Sequence, residues 1–283
     1  MIRKTVFAYI VFISLLAGIA PLLPSEAAII YVSVAILLGG LVAIVLQKKI
    51  HRGRFVDMGF KLNRNAVIGL TLGLTFTILA VLVNGLLPYL LGLVTFSVNT
   101  ESALVSAEVP ILITTSIIVV FGGAILFVCC LFGEELAFRG YILPKLEEQY
   151  GSIKAIIICS VVFSLWHLPA YFSVYSGGAA ESGWSSVALM LLAHGISVVP
   201  ICILYLTTRE LYGVSLYHAL LNVLQYSVVG NPALGEASKD ALYKMTVLNE
   251  PLVEAIGWAW HVAAVFLMIG LCRVARRWTL ENR

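Results

Sequence analysis

Runs of 17 or more apolar residues recur along this chain from end to end, and no other feature limits its fold so strongly. A helix needs about 20 predominantly apolar residues to cross the hydrocarbon layer of a bilayer. Eight segments qualify, at roughly 5–23, 27–46, 66–94, 111–143, 153–173, 187–208, 212–229 and 251–271; the fourth is longer than one crossing needs. With 60% hydrophobic and 12% charged residues and a mean hydropathy of +0.99, the 283 residues carry too little polar surface to cover a soluble globule. The expected architecture is all-α: a multi-pass transmembrane helical bundle of about eight spans, forming a single integral membrane domain over residues 1–283.

The basic residues orient that bundle. Lys and Arg stay on the cytoplasmic side in short loops, and with the N-terminus inside, sixteen of the eighteen fall on inner segments. The outer loops keep Lys239 and Lys244, against Glu26, Glu101, Glu108, Glu181, Glu236, Asp240, Glu250 and Glu254 there or at their edges. Both termini are therefore expected in the cytoplasm, and the net charge of +3 follows from basic inner loops and calls for no nucleic acid. Arg3 and Lys4 before an apolar run, with "PSEAA" after it, also fit a signal peptide. A retained first helix agrees better with the charge alternation. Cys129, Cys130, Cys159, Cys202 and Cys272 all lie within apolar segments without a CxxC pair, so they read as small buried residues and not as disulfides or metal ligands. An isolated Asn231-Pro232-Ala233 resembles the turn of water channels, which need two such turns facing each other; here it reads as the start of a loop.

A charged side chain in a bilayer costs about 2.5–3.5 kcal/mol on insertion scales, so those retained there usually face a protein interior. The ionisable residues within the apolar segments are few: Glu134, Glu135 and Arg139 in "LFGEELAFRG", His167, His194, His218 and His261. Counted inward from Lys145, Lys154 and Arg209 at about 1.5 Å per residue, Glu134 lies about 16 Å deep, His167 about 20 Å, His218 about 14 Å and Asn222 about 20 Å. Four polar groups from three helices can thus meet near one level, provided the long fourth segment crosses tilted or kinked near Gly122, Gly123 or Gly133. Glu135 and Arg139, four apart, share a helix face and can pair. Glu134 points about 100° away and is left free. His218 and Asn222 are also four apart, and so are Phe163 and His167, an aromatic wall beside a ring that must be oriented.

This set suits activation of water. Burial raises the proton affinity of a carboxylate and a nearby Arg lowers it, so Glu134 is poised to take a proton from water that His167 holds or shares. His218 and Asn222 supply donors for an oxyanion. Taken singly, each motif is more often structural, a salt bridge or an interhelical hydrogen bond; three at compatible depths point to a hydrolase. His194 and His261 have no polar partner comparable to Asn222 one turn away and are read as structural.

"EELAFR" (Glu134 to Arg139), "FSLWH" (Phe163 to His167) and "HALLN" (His218 to Asn222) resemble the EExxxR, FxxxH and HxxxN motifs of the CPBP intramembrane proteases, the CAAX prenyl endopeptidase and bacteriocin-processing (Abi) family. All three occur in order on separate apolar segments. The resemblance covers about Ile111 to Gly230, which makes 111–230 the catalytic core. It implies that Glu134 and His167 activate water, that His218 and Asn222 stabilise the oxyanion, and that Glu135 and Arg139 support them. Eukaryotic members remove the last three residues from prenylated CAAX proteins at a site reached from the cytoplasm, while others are linked to bacteriocin immunity or serve as scaffolds. The expected partners are the bilayer and a membrane-associated peptide, prenylated or otherwise apolar.

Other chemistries fit less well. The chain has no HExxH, no GxSG and no intramembrane aspartate pair. Zinc on Glu134, His167 and His218 is the alternative cofactor, but no second carboxylate is evident to orient either histidine, Glu135 being committed to Arg139, and the expectation is no metal. A proton-coupled transporter would show inverted repeats, which are absent from the sequence. A non-catalytic immunity or scaffold protein of the same family is the remaining alternative.

Overall fold

A computed structural model describes residues 2–23, 25–105, 108–171, 183–230 and 238–281. The Asn231-Pro232-Ala233 turn, Glu181 and Glu236 lie outside the described residues. Helix α1 spans Ile2–Ala17, α2 Ser25–Lys49, α3 Arg64–Val81, α4 Leu87–Leu90, α5 Ile111–Ile117, α6 Gly123–Phe132, α7 Leu143–Tyr150 and α8 Ser152–Trp166. A short α9 covers Leu168–Tyr171, followed by α10 at Trp184–Thr208, α11 at Tyr212–Val223 and α12 at Glu250–Glu281. Three strands, β1 at Val94–Val98, β2 at Val229–Gly230 and β3 at Tyr243–Val247, form one small sheet in the order β1-β3-β2. The helical membrane bundle is as the apolar pattern requires; the sheet is an addition that pattern did not announce.

Six stretches among the described residues are long and apolar enough to cross a membrane: Arg3–Leu22, Ile30–Lys49, Arg64–Leu90, Ile111–Tyr150, Trp184–Thr208 and Glu250–Ala275. The protein is an integral, multi-pass membrane protein. The other two of the eight expected segments form α8 and α11, which at 15 and 12 residues rise only about 22 and 18 Å. Each is shorter than a hydrocarbon layer of roughly 30 Å. Both end at the cavity described below, where His167 caps α8 and α11 loosens into a π-turn at Leu224–Val228.

Irregular helix concentrates where the sequence places glycine and charge. The 40-residue stretch Ile111–Tyr150 is not one rod. It has a π-turn at Ile118–Gly122, a break at Gly133 with φ −108° and ψ −103°, and a seven-residue π-turn at Leu136–Ile142. Such π-turns occur mostly as local insertions, often at functional sites. Helix α2 presses on the break: a Cβ at Gly40 would collide with the Phe132 carbonyl and one at Gly133 with the Ile36 side chain.

Helices α3 and α11 make a second close contact. A Cβ on Gly73 would strike the Gly213 carbonyl, and one on Gly213 the Gly69 carbonyl. Gly69 and Gly73 are four apart, the small-residue spacing that lets membrane helices approach backbone to backbone. Glu210 caps the start of α11, its carboxylate accepting from the Tyr212 and Gly213 N–H groups at 2.6 and 3.2 Å. Two buried polar groups elsewhere find partners across helices, where no water can serve them. The Tyr9 hydroxyl donates to the Gly39 carbonyl at 2.7 Å, and the Trp166 indole N–H to the Ile13 carbonyl at 3.0 Å. These two bonds tie α1 to α2 and α8, while Phe7, Leu112, Ile153 and Phe266 point outward.

Candidate active site

The break at Gly133 and the π-turn after it present Glu134 and Glu135 to different partners. Every residue of the turn is buried, and Arg139 is fully enclosed. Its Nη1 donates to Glu135 Oε1 at 3.2 Å, forming the ion pair expected from their spacing. The same Glu135 oxygen also accepts from His218 Nδ1 at 2.7 Å. Glu135 is therefore not committed to Arg139 alone: it is the second carboxylate that the sequence did not reveal, and it orients His218 across 83 residues of chain.

Phe163 holds the other side. The Arg139 guanidinium lies 4.2 Å from the centre of its ring, and the His167 ring 4.6 Å from it at a tilt of 47°. A cation over an aromatic face in a desolvated place is attracted by about 2 kcal/mol. His167 Nδ1 donates to the Phe163 carbonyl at 2.8 Å, which leaves Nε2 as the free, unprotonated nitrogen of the neutral ring.

The two free imidazole nitrogens converge on one oxygen. Glu134 Oε2 stands 3.7 Å from His218 Nε2 and 4.0 Å from His167 Nε2. It is buried and has no hydrogen-bond partner among the described residues. These separations exceed a direct hydrogen bond and match the span of a bridging water. The same three atoms are those a zinc ion would take. A tetrahedral ion with bonds of about 2.0–2.1 Å sets its ligands about 3.3 Å apart, and no group of three His, Cys, Asp or Glu among the described residues stands at metal-binding spacing.

Glu134, His167, His218 and Asn222 all line one cavity of about 870 Å³. Phe163 lines it as well, whereas Glu135 and Arg139 lie behind the wall. The rest of the lining is largely apolar, drawn from α2, α3, α10, α11 and α12 and reaching Phe96 of β1 and Met245 of β3. His194 and His261, read as structural from the sequence, line it too. Neither has a polar partner comparable to Asn222 one turn away to mark it, and only the packing of α10 and α12 brings them to the cavity.

A multi-pass helical membrane protein whose three motif-bearing segments surround one buried carboxylate is the class that fold and site define. Residues 110–224 match the family model of the type II CAAX prenyl endopeptidase Rce1-like proteins. A CAAX prenyl protease 2 from Methanococcus maripaludis is 30% identical over 97 residues, 32% of this chain and 35% of that relative, so the chain matches about a third of the relative's length. This central segment is therefore similar to CAAX prenyl endopeptidases, in agreement with the CPBP motifs that its three segments resemble.

Proposed function

We propose that the protein is an intramembrane endopeptidase in which Glu134 activates a water molecule without a metal. The observation that carries this reading is the buried, unpartnered Glu134 Oε2 between two imidazole nitrogens at 3.7 and 4.0 Å. Water between Glu134 and His167 gives one proton to Glu134 Oε2, while its second hydrogen bonds His167 Nε2. The water oxygen attacks the scissile carbonyl carbon and the carbonyl electron pair moves onto oxygen. His218 Nε2–H and the Asn222 carboxamide donate to that oxyanion. Donating from both nitrogens makes His218 an imidazolium, whose charge lies between the Glu134 and Glu135 carboxylates. Collapse of the intermediate breaks the C–N bond, and Glu134 returns its proton to the leaving amine. The water's second proton passes from the new carboxyl group by way of His167 Nε2 to the amine, so a peptide bond and one water become a carboxylate and an ammonium, and Glu134 is restored.

The apolar lining favours a substrate that brings apolar surface with it: a lipidated or membrane-embedded peptide, and by similarity to the archaeal relative a CAAX-type one. The basic residues Lys145, Lys154 and Arg209 flank the motif-bearing segments and support a reading in which the opening faces the cytoplasm. The test is cleavage of a fluorescence-quenched farnesylated CAAX-type peptide by the protein in lipid nanodiscs. The parent chain cleaves it and Glu134→Gln, equally well folded, does not. Cleavage by Glu134→Gln at the parental rate removes the hydrolase reading. A membrane phenotype of the chain that survives Glu134→Gln instead supports the scaffold alternative.

A further inference from the structure

Among the described residues, apart from tyrosines, the titratable side chains lining the cavity are Glu134 and four histidines, His167, His194, His218 and His261, with no Lys or Arg. The proposed mechanism uses Glu134, His167 and His218. His194 stands next to them. Its ring centre is 4.2 Å from that of His167 at a tilt of 54°, and 5.4 Å from that of Phe163, edge to face. The ring faces are therefore engaged by packing.

Its nitrogens have no partner among the described residues. Among the described residues no protein group hydrogen-bonds to either ring nitrogen of His194, and the one side-chain bond at this residue is Ser197 Oγ donating to its backbone carbonyl. His167 makes the contrast: its Nδ1 is held by a carbonyl and its Nε2 faces Glu134. A polar ring beside an apolar cavity is costly unless a partner comes to it. A peptide entering that cavity has the matching need, since each backbone N–H and C=O it brings must find a donor or acceptor where no bulk water reaches. Most of the cavity wall offers neither.

We propose that His194 is a substrate-binding residue, hydrogen-bonding through a ring nitrogen to the backbone of the peptide beside the scissile bond, where that segment passes over His167. The assignment rests on the endopeptidase reading and adds a binding contact to it. It differs from a role in which His194 is only an aromatic shelf under His167, and two substitutions separate the two. His194→Phe keeps a ring against His167 and Phe163 but cannot hydrogen-bond. His194→Gln loses the ring and keeps a donor and an acceptor.

The experiment measures kcat and KM for the farnesylated, quenched CAAX-type peptide in nanodiscs, with thermal unfolding of each variant recorded alongside. Loss of one neutral hydrogen bond predicts that His194→Phe raises KM about 3- to 10-fold with kcat within about twofold of the parent. His194→Gln recovers most of the parental KM. Parental KM in His194→Phe together with a raised KM in His194→Gln overturns the proposal, because the ring's packing would then be what matters. Cleavage undiminished in Glu134→Gln is a different failure: it removes the endopeptidase reading and the binding role with it.

Discussion

Replacing Glu135 by alanine removes the one carboxylate that both Arg139 and His218 touch, at 3.2 and 2.7 Å. Arg139 and Glu135 are fully buried, and Arg139 Nε and Nη2 already lack partners among the described residues. The variant therefore leaves a guanidinium enclosed with no carboxylate at bonding distance. Breaking a buried pair from one side costs about 3–5 kcal/mol. At roughly 2–4 °C per kcal/mol for a chain of this size, the midpoint should fall by about 10 °C. Activity should fall separately, because His218 Nδ1 loses the acceptor that fixes its ring; loss of such an orienting partner typically costs about 10- to 100-fold. Glu135→Gln keeps an acceptor and the side-chain volume, so it should recover stability less completely than orientation. The assay is thermal unfolding and peptide cleavage on the same nanodisc samples. A Glu135→Ala protein that melts and cleaves like the parent refutes the argument, since neither Arg139 nor His218 would then depend on this carboxylate.

Further outcomes follow from the same geometry. Glu134→Ala and His167→Ala should each abolish cleavage while the fold persists by thermal unfolding, whereas Asn222→Ala should slow kcat by about 10²–10³ as a lost oxyanion donor does; equal, mild losses across the set would count against these roles. Cleavage should be unchanged after exhaustive chelation, and recovery of a chelator-inactivated protein by zinc would instead assign Glu134, His167 and His218 as ligands. Stability should also depend on pH through Glu210, whose burial at the start of α11 outweighs its N–H donors and pushes its carboxyl up to about 7. A raised carboxyl pKa means that the folded state holds the proton longer than the unfolded chain. Stability from this group is thus greatest below pH 4.5 and declines as pH rises to about 7. Glu210→Gln should flatten the fall in melting midpoint between pH 5 and 7.5.

Much of this site can be read in one dimension, because a bilayer makes polar residues conspicuous. Glu134, His167, His218 and Asn222 stand out in apolar surroundings, and the Glu135–Arg139 pair follows from a spacing of four. What needs three dimensions is any link between distant segments. The Glu135–His218 bond joins residues 83 apart, and nothing beside His218 in the sequence names its carboxylate. His194 escapes notice for the same reason, its neighbour His167 being on another helix. The π-turn at Leu136–Ile142 leaves no periodic mark, since all seven residues are buried whatever the pitch. Strands β1 and β3 are five residues each and sit at the ends of apolar segments, where helix and strand patterns are hard to tell apart. Hydropathy counts α8 and α11 as full spans because apolar residues continue past their ends into a cap and a π-turn.

The central claim is that Glu134 activates water and does not itself attack the peptide. A single turnover in ¹⁸O-enriched water, with enzyme in excess over the farnesylated peptide, tests this most directly by mass spectrometry. The account predicts one ¹⁸O in the new carboxylate of the product from the first turnover and none in the Glu134-containing fragment of the enzyme. A first-turnover product bearing only ¹⁶O, with ¹⁸O appearing in Glu134, would contradict it.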